Sequence, residues 1–234
     1  MISIILATFN ERELIRTTIT ELLNVSPEAM EIIVVDDDSP DGTWRVAESL
    51  QLPAVKVIRR VRTRGLASAF NRGIIESRGE YVGWMDADMC MPPEMIPKMY
   101  RMLKEDGYDV VIGSRYAPGG VDDRAAIRVQ ASRFINAFAR LVLGYGIRDY
   151  DSGFVLLKRS VFDSVSLMPR GYGEYFIEFI YHACRKGLKV GEVGYYFRDR
   201  TVGVSKSMPN VLSFVGGGFV YAMRIVGARL RRVD

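Results

Sequence analysis

Short apolar runs alternate with amphipathic stretches along the first half of this chain. Ile2–Ala7, Glu31–Val35, Val55–Arg59, Glu80–Met85 and Val110–Gly113 are rich in β-branched and aromatic side chains and read as buried strands. Between them, Glu11–Leu23 places Leu14, Ile15, Thr18, Ile19, Leu22 and Leu23 at helical spacing. The turn Pro40-Asp41-Gly42-Thr43 starts a helix over Trp44–Leu50, and Leu66–Glu76 is a helix ended near Gly79. Pro92-Pro93-Glu94 opens another, with proline in its first turn, running to about Lys104. Strands spaced by helices of this length predict an α/β fold, a doubly wound parallel sheet with right-handed crossovers over roughly residues 1–115.

The second half is less regular. Ala125–Leu143 and Glu174–Lys186 are helical patterns, Phe154–Leu157 and Val190–Phe197 are strand-like, and Met208–Arg232 reads as a terminal helix. Tyr116–Arg124, with Pro118-Gly119-Gly120, is expected to be a mobile loop over the site. No linker marks an independent second domain.

Polar clusters follow four of the strands at once: Thr8-Phe9-Asn10-Glu11, Asp36-Asp37-Asp38-Ser39, Asp86-Ala87-Asp88 and Ser114-Arg115-Tyr116. In a parallel sheet all four meet at the edge where such folds bind ligands. A lone Asp-rich turn is merely soluble; four at successive strand ends describe a pocket. Two carboxylates one residue apart suit Mg²⁺ or Mn²⁺, with substrate phosphates completing the shell. No G-x-G-x-x-G follows the first strand and no G-x-x-x-x-G-K-[ST] occurs, which disfavours a dinucleotide-binding oxidoreductase and a P-loop enzyme. The acids suit a nucleotide sugar instead: Asp37 on base or ribose, Asp86 and Asp88 on a metal that neutralises the diphosphate.

Composition narrows the field further. A net charge of +4 fits anionic ligands or an anionic surface, and no basic stripe interleaved with aromatics points to nucleic acid. Two cysteines, Cys90 and Cys184, make neither a disulfide framework nor a zinc site, and fit a reducing compartment. No signal peptide is expected at Met1–Leu6, and Val211–Met223 falls short of the ~20 residues a membrane span requires. The single histidine, His182, rules against a His-based triad and reads as structural. Trp44 and Trp84 read as packing residues, Gly216-Gly217-Gly218 as close helix packing. The arginines of Arg59–Arg64 read as a solvated strand exit with at most one reaching the pocket.

Ala7-Thr8-Phe9-Asn10-Glu11, Asp36-Asp37-Asp38-Ser39-Pro40-Asp41-Gly42-Thr43, Met85-Asp86-Ala87-Asp88, Gly113-Ser114-Arg115-Tyr116 and Ser152-Gly153-Phe154 together resemble family-2 glycosyltransferases of the GT-A fold. Within that family the chain is most similar to polyprenol-phosphate (dolichol-phosphate) mannosyltransferases, through the Asp-Asp-x-Ser-Pro-Asp-Gly-Thr string and Arg198-Asp199-Arg200, Gly203 and Ser205-Lys206. The resemblance covers about residues 2–206. It implies a mostly parallel GT-A sheet flanked by helices as the catalytic domain (residues 1–206), followed by a C-terminal amphipathic helical segment (residues 207–234). It further implies that Ala7, Phe9 and Glu11 lie near the base, with Val35 and Asp37 at the second nucleotide-binding strand end. Met85, Asp86, Ala87 and Asp88 match the diphosphate and metal site; Arg115, Arg200 and Lys206 match cations holding donor and acceptor phosphates. Asp88, Arg115 and Arg200 are the residues it puts closest to catalysis, and Glu178 a weaker donor-sugar candidate. The chain departs from the family pattern at Ala7 (usually proline), Phe9 (a tyrosine without its hydroxyl), Cys90 (a polar metal ligand in some relatives) and Asp151 (commonly threonine).

The implied reaction moves mannose from GDP-mannose to a polyprenyl phosphate with inversion, at the cytoplasmic face of a membrane. A phosphate monoester, with a second pKa of about 6, is already largely ionised at neutral pH and needs no general base. Arg115, Arg133, Arg200 and Lys206 are the candidates for holding it. The terminal helix then reads as a membrane-surface element, or else as docking on the catalytic domain or on a membrane-bound partner subunit. The alternatives are glucose or N-acetylglucosamine transfer from a UDP-sugar to the same acceptor, and a noncatalytic nucleotide-sugar-binding subunit.

Overall fold

A computed structural model describes residues 1–171, 174–199 and 211–231, with side chains of the last segment described from residue 220 onward. The elements run β1 (Ile2–Thr8), α1 (Ile15–Val25), β2 (Met30–Asp36), α2 (Thr43–Ser49), β3 (Val55–Arg59), α3 (Leu66–Glu76), β4 (Tyr81–Asp86), α4 (Met95–Lys104) and β5 (Val110–Ser114). They continue as β6 (Val121–Asp123), α5 (Ala126–Leu143), β7 (Val155–Lys158), a 3-10 turn (Arg159–Asp163), α6 (Glu174–Arg185), β8 (Val190–Gly194), β9 (Tyr196–Arg198) and α7 (Val211–Leu230). Seven strands form one sheet in the order β3-β2-β1-β4-β7-β5-β8, and β6 pairs with β9 beside it.

The central strands β1, β2, β4 and β5 are apolar over most of their length because both faces of the sheet are covered there, whereas the edge strand β3 is half-exposed. Successive residues point to opposite faces, so Ile4 and Leu6 of β1 pack with Ile15, Ile19 and Leu22 of α1 and Ile96 and Met99 of α4. Ile5 points the other way, into a core shared by Phe70 of α3, the aromatic run of α6, and Ile225 and Ala228 of α7. A Cβ on Gly73 would sit 2.3 Å from Cγ2 of Ile5, so only glycine lets α3 lie this close to β1. Each fully buried aliphatic side chain contributes about 1.5–3 kcal/mol, and this two-sided core holds the strand ends in register.

The sheet is mostly parallel, as the alternating pattern predicts, with one exception. β7 inserts antiparallel between β4 and β5, pairing Trp84 with Val155 and Ile112 with Val155. Because β4 and β5 are both antiparallel to it, their carboxyl ends still share one edge, and the Ser152-Gly153-Phe154 entry to β7 lies at that edge too. The expected loop at Tyr116–Arg124 instead carries β6, which pairs in parallel with β9, Val121 opposite Tyr196. Its turn closes through Gly120 N–H to Ala117 O (2.8 Å) and packs where a Cβ on Gly194 would meet Pro118 O at 2.3 Å. The strand-like Val190–Phe197 is two strands, split at Tyr195.

α7 lies against α5 and α6. Ile225 is fully buried there, and Arg231 and Arg224 reach the buried carboxylate of Glu178 on α6. Glu178, a donor-sugar candidate by resemblance, therefore anchors the terminal helix. The glycines at 216–218 lie outside the described side chains.

Candidate active site at the carboxyl edge of the sheet

The register brings the sequence-predicted clusters together. Thr8 is opposite Asp36, Ala7 opposite Asp86, Asp36 opposite Arg59, and Ser114 opposite Gly194. Each strand is followed directly by a polar turn, and the turns after β1, β2, β3 and β4 each use a non-glycine residue with positive φ: Asn10 (57°), Asp38 (56°), Arg62 (62°) and Met89 (61°). Such backbone is tolerated by Asn and Asp and costs a methionine more, and it clusters at functional sites.

The four aspartates at the end of β2 and in the turn that follows have different tasks. Asp36 is fully buried, accepting from Thr8 Oγ1 (2.7 Å), Ser39 N–H (2.8 Å) and Ser39 Oγ (2.7 Å), which ties β1 to the following turn. Asp41 caps Thr43, whose hydroxyl accepts the N–H of Glu11 (2.9 Å), so this turn also fixes the segment after β1. Asp38 faces outward and pairs with Arg59, whose guanidinium lies 4.2 Å from the centre of the Trp44 ring.

Asp37 points into the site edge and is nearly buried. Its Oδ1 accepts from Arg60 Nε (2.7 Å) and its Oδ2 from Gly65 N–H (2.8 Å). Arg60 also donates to Ser68 Oγ (2.9 Å) and Gly65 O (3.0 Å), and its side chain is only 9% exposed. Arg64 lies 4.3 Å from the centre of the Phe9 ring, a cation–π contact. The exit expected for Arg59–Arg64 is largely solvated, Arg59, Arg62 and Arg64 being exposed, and the one arginine that reaches the Asp37 carboxylate at the site edge is Arg60.

The Asp86-Ala87-Asp88 turn is held from both sides. Thr18 Oγ1 on α1 donates to Ala87 O (3.0 Å), Asp86 N–H approaches Met91 Sδ (3.4 Å), and Cys90 N–H donates to Asp88 Oδ1 (3.0 Å). Asp86 is half-buried and Asp88 is 7% exposed. Among the described residues no group of three or more His, Cys, Asp or Glu side chains forms a metal cage. Two hard carboxylate donors fit Mg²⁺ or Mn²⁺ only where ligand phosphates and water supply the remaining oxygens, and that is the donor set here. Val35, Met85 and Ala87 have buried side chains, so any ligand contact from them is confined to the main chain; Ala7, Phe9 and Glu11 are half-buried.

Arg115 is placed differently from the free phosphate ligand expected of it. Its Nε and Nη2 bond Asp149 Oδ2 (2.9 Å) and Oδ1 (2.7 Å), its backbone N–H bonds Oδ2 (2.8 Å), and Nη2 also reaches Asp151 O (2.8 Å). Both partners are buried, at 4% and 0% side-chain exposure. Burial pulls the guanidinium pKa down, but the charge and hydrogen bonds of Asp149 outweigh it and hold it well above its ordinary value. Asn136 of α5 braces the same loop, its Oδ1 accepting Tyr150 N–H (2.7 Å). Arg115 therefore serves first as the buried half of an ion pair behind the site. Arg133 lies exposed on α5 beside Phe134, outside this network. Arg200 and Lys206 lie outside the described residues.

Sequence reasoning missed Asp149, and did not say which arginine of Arg59–Arg64 reaches the pocket. Asp149 left only a weak trace, a charged residue in a segment with no helical or strand period.

Residues 3–166 match the model of glycosyl transferase family 2. The chain is 40% identical over 210 residues to a dolichol-phosphate mannosyltransferase of Pyrococcus furiosus, covering 88% of this chain and 58% of that protein. It is 33% identical over 213 residues to a polyprenol monophosphomannose synthase of Mycolicibacterium smegmatis, covering 87% and 79% respectively. This chain thus spans a little over half the length of the Pyrococcus protein. Among solved structures, glucosyl-3-phosphoglycerate synthase from Mycobacterium tuberculosis in complex with UDP superimposes with a TM-score of 0.73 at 19% identity, over 98% of this chain and 80% of that one. The same enzyme with Mg²⁺ and UDP gives 0.72 at 21% identity, over 98% and 79%. At that identity the likeness speaks for the shared fold, whereas the match over residues 3–166 and the two mannosyltransferase relatives place this chain in glycosyltransferase family 2.

Proposed function

We propose that this chain transfers mannose from GDP-mannose to a polyprenyl phosphate, with inversion at the anomeric carbon, on the surface of a membrane. The observation that carries this reading is the placing of Asp37, Asp86 and Asp88 just past the carboxyl ends of β2 and β4, the two strands that flank β1, in a chain whose relatives are named for polyprenol-linked mannose transfer. Asp86 and Asp88 would hold a Mg²⁺ or Mn²⁺ ion, which when bound neutralises the charge developing on the departing diphosphate. Asp37, its charge balanced by Arg60, presents acceptor lone pairs to the hydroxyls or base N–H groups of the nucleoside without repelling the diphosphate. The ionised lipid phosphate attacks directly, so the protein's work is in-line positioning and exclusion of water. Arg133, Arg200 and Lys206 remain the candidates for gripping that phosphate, with the Arg115–Asp149 pair shaping the wall behind it.

Arg60 acts through Asp37. In Arg60→Met the KM for the donor is expected to rise about tenfold with kcat nearly unchanged, because uniform ground-state binding is lost. Arg60→Lys should recover part of it. Kinetics at saturating acceptor check this; a fall in kcat at constant KM would contradict the role.

Attachment to a membrane surface is supported by two exposed apolar rows on packed helices. Ile127 (71% exposed), Phe134 (71%) and Leu141 (83%) recur every seventh residue on α5, and α7 exposes Val220, Met223, Val226 and Leu230. No helix among the described residues is long and apolar enough to cross a membrane, so contact through these helices would be peripheral. Replacing Phe134 and Leu141 by Glu should weaken partition to anionic vesicles by at least about tenfold, since burying each side chain is worth about 1.5–3 kcal/mol. Vesicle sedimentation reads it out; unchanged partition would refute the assignment.

The reading is tested by incubating purified protein with labelled GDP-mannose, a polyprenyl phosphate and Mg²⁺ or Mn²⁺. Label should move into an organic-extractable glycolipid, and UDP-glucose should give none. Transfer only from a UDP-sugar, or only to a protein or water, would contradict it.

A further inference from the structure

Arg64 stands in the turn between β3 and α3, and that turn is tied to the site by the residue that follows it. Gly65 donates its N–H to Asp37 Oδ2 (2.8 Å), while its carbonyl accepts from Arg60 (3.0 Å), which itself bonds Asp37 Oδ1 (2.7 Å). Gly65 has a φ of 143°, a backbone that favours glycine, and Arg62 turns the chain ahead of it at a φ of 62°. From this fixed turn the Arg64 guanidinium is laid over Phe9, 4.3 Å from the centre of its ring. Phe9 follows β1 directly, and Asp37 N–H donates to Thr8 O (3.0 Å), so Phe9 and Asp37 leave neighbouring strands at one level. Arg59 and Arg60 are each paired with an aspartate, whereas Arg64 is exposed and, among the described residues, forms no ion pair.

A guanidinium stacked on an aromatic face is held by its flat side, which leaves the N–H groups in its plane available as a rigid fork. Guanine matches that fork with two acceptors on one edge, O6 and N7; adenine carries a donor where guanine has O6, and the pyrimidines have no N7. We infer that Arg64 is a specificity-determining residue for the donor nucleotide, pairing with the O6 and N7 edge of guanine while Phe9 holds its guanidinium in place beside Asp37. A free charge at this position would draw every nucleoside diphosphate alike, whereas a fork on the base edge separates one base from another.

This inference rests on the proposed use of a GDP-sugar, with Asp37 at the nucleoside, and the experiment separates the two. Binding of GDP, 7-deaza-GDP and UDP is titrated calorimetrically with Mg²⁺ present, for the unaltered chain and for Arg64→Met. The unaltered chain should prefer GDP, and Arg64→Met should weaken GDP at least about fivefold but UDP less than about twofold. The analogue 7-deaza-GDP, which lacks N7, should bind the unaltered chain more weakly than GDP does, and Arg64→Met should bind the two alike. Equal weakening of GDP and UDP in Arg64→Met would make Arg64 a nonspecific charge and overturn the inference. Equal binding of GDP and 7-deaza-GDP to the unaltered chain would overturn it without recourse to a variant. A preference for GDP that survives intact in Arg64→Met overturns the inference alone. If the unaltered chain binds UDP as tightly as GDP, the choice of donor is itself wrong and the inference falls with it.

Discussion

Asp88→Ala should lose glycolipid synthesis by about 10²–10³-fold while keeping its fold. Neutralising the diphosphate leaving group is worth several kcal/mol, and each 1.36 kcal/mol is a factor of ten in rate. On the structural side, the substitution gives up the bond from Cys90 N–H to Asp88 Oδ1 (3.0 Å), worth about 1 kcal/mol. The Ala87 carbonyl stays anchored by Thr18 Oγ1, so the turn should keep its course. The rate loss should therefore come without a comparable drop in melting temperature. GDP binding measured without metal should change little, and raising Mn²⁺ should not restore turnover. A variant that turns over normally would remove Asp88 from the chemistry. One that unfolds would make it a structural residue.

The largest effect on stability is expected at Asp149. In Asp149→Ala the Arg115 guanidinium, 4% exposed, loses two hydrogen bonds, and the backbone N–H of Arg115 loses a third. Breaking a buried ion pair from one side costs about 3–5 kcal/mol, because it strands a charge in a poorly solvating interior. Replacing both partners, as Arg115→Met with Asp149→Leu, should cost less than Asp149→Ala alone, since the charge that then loses its partner is the partly exposed Asp151, 3.7 Å from Arg115, rather than a fully buried guanidinium. Urea denaturation of the single and double variants gives the comparison. Equal destabilisation in both would show that packing of this loop, rather than the pair, is what matters. The activity of a stable double variant is also informative: loss of turnover would keep Arg115 in contact with the reaction despite its internal partner.

How much of this was legible in the sequence depends on how far apart the interacting residues lie. Val55–Arg59 and Leu66–Glu76 fall where the apolar pattern puts them, because the strand alternates partly covered and exposed positions at the sheet edge and the helix period is clean. The acids after β1, β2 and β4 were legible as a group, because parallel strands carry their ends to one edge whatever lies between them. What escaped was pairing between distant segments. β7 enters between β4 and β5 from more than forty residues downstream of β5, and nothing in Val110–Ser114 announces an antiparallel neighbour. Three-residue β6, which carries two aspartates, has no strand pattern of its own and exists because β9 comes alongside.

The side chains misjudged were those whose partners are remote or hidden. Arg115 reads as a phosphate ligand until Asp149, thirty-four residues on, accepts from its Nε and Nη2. Arg60 reads as solvated until the turn at Gly65 folds back over Asp37. The terminal helix is a different case: its pattern allows a membrane-surface element or one docked on the catalytic domain, and in the structure Ile225 and Ala228 bury one side against the domain while Val220, Met223 and Leu230 remain exposed. Periodicity locates elements and their apolar faces, but does not say which carboxylate a buried arginine will meet.

The central claim is that Asp86 and Asp88 hold one divalent cation on which a nucleoside diphosphate rests. Crystals grown with GDP and MnCl₂, measured at a wavelength where manganese scatters anomalously, test it directly. The account predicts a single strong anomalous peak within coordination distance of a carboxylate oxygen of Asp86 or Asp88 and of the diphosphate oxygens, with Asp37 close to the nucleoside. GDP bound at this edge with manganese elsewhere, or GDP bound on another face of the molecule, would contradict it.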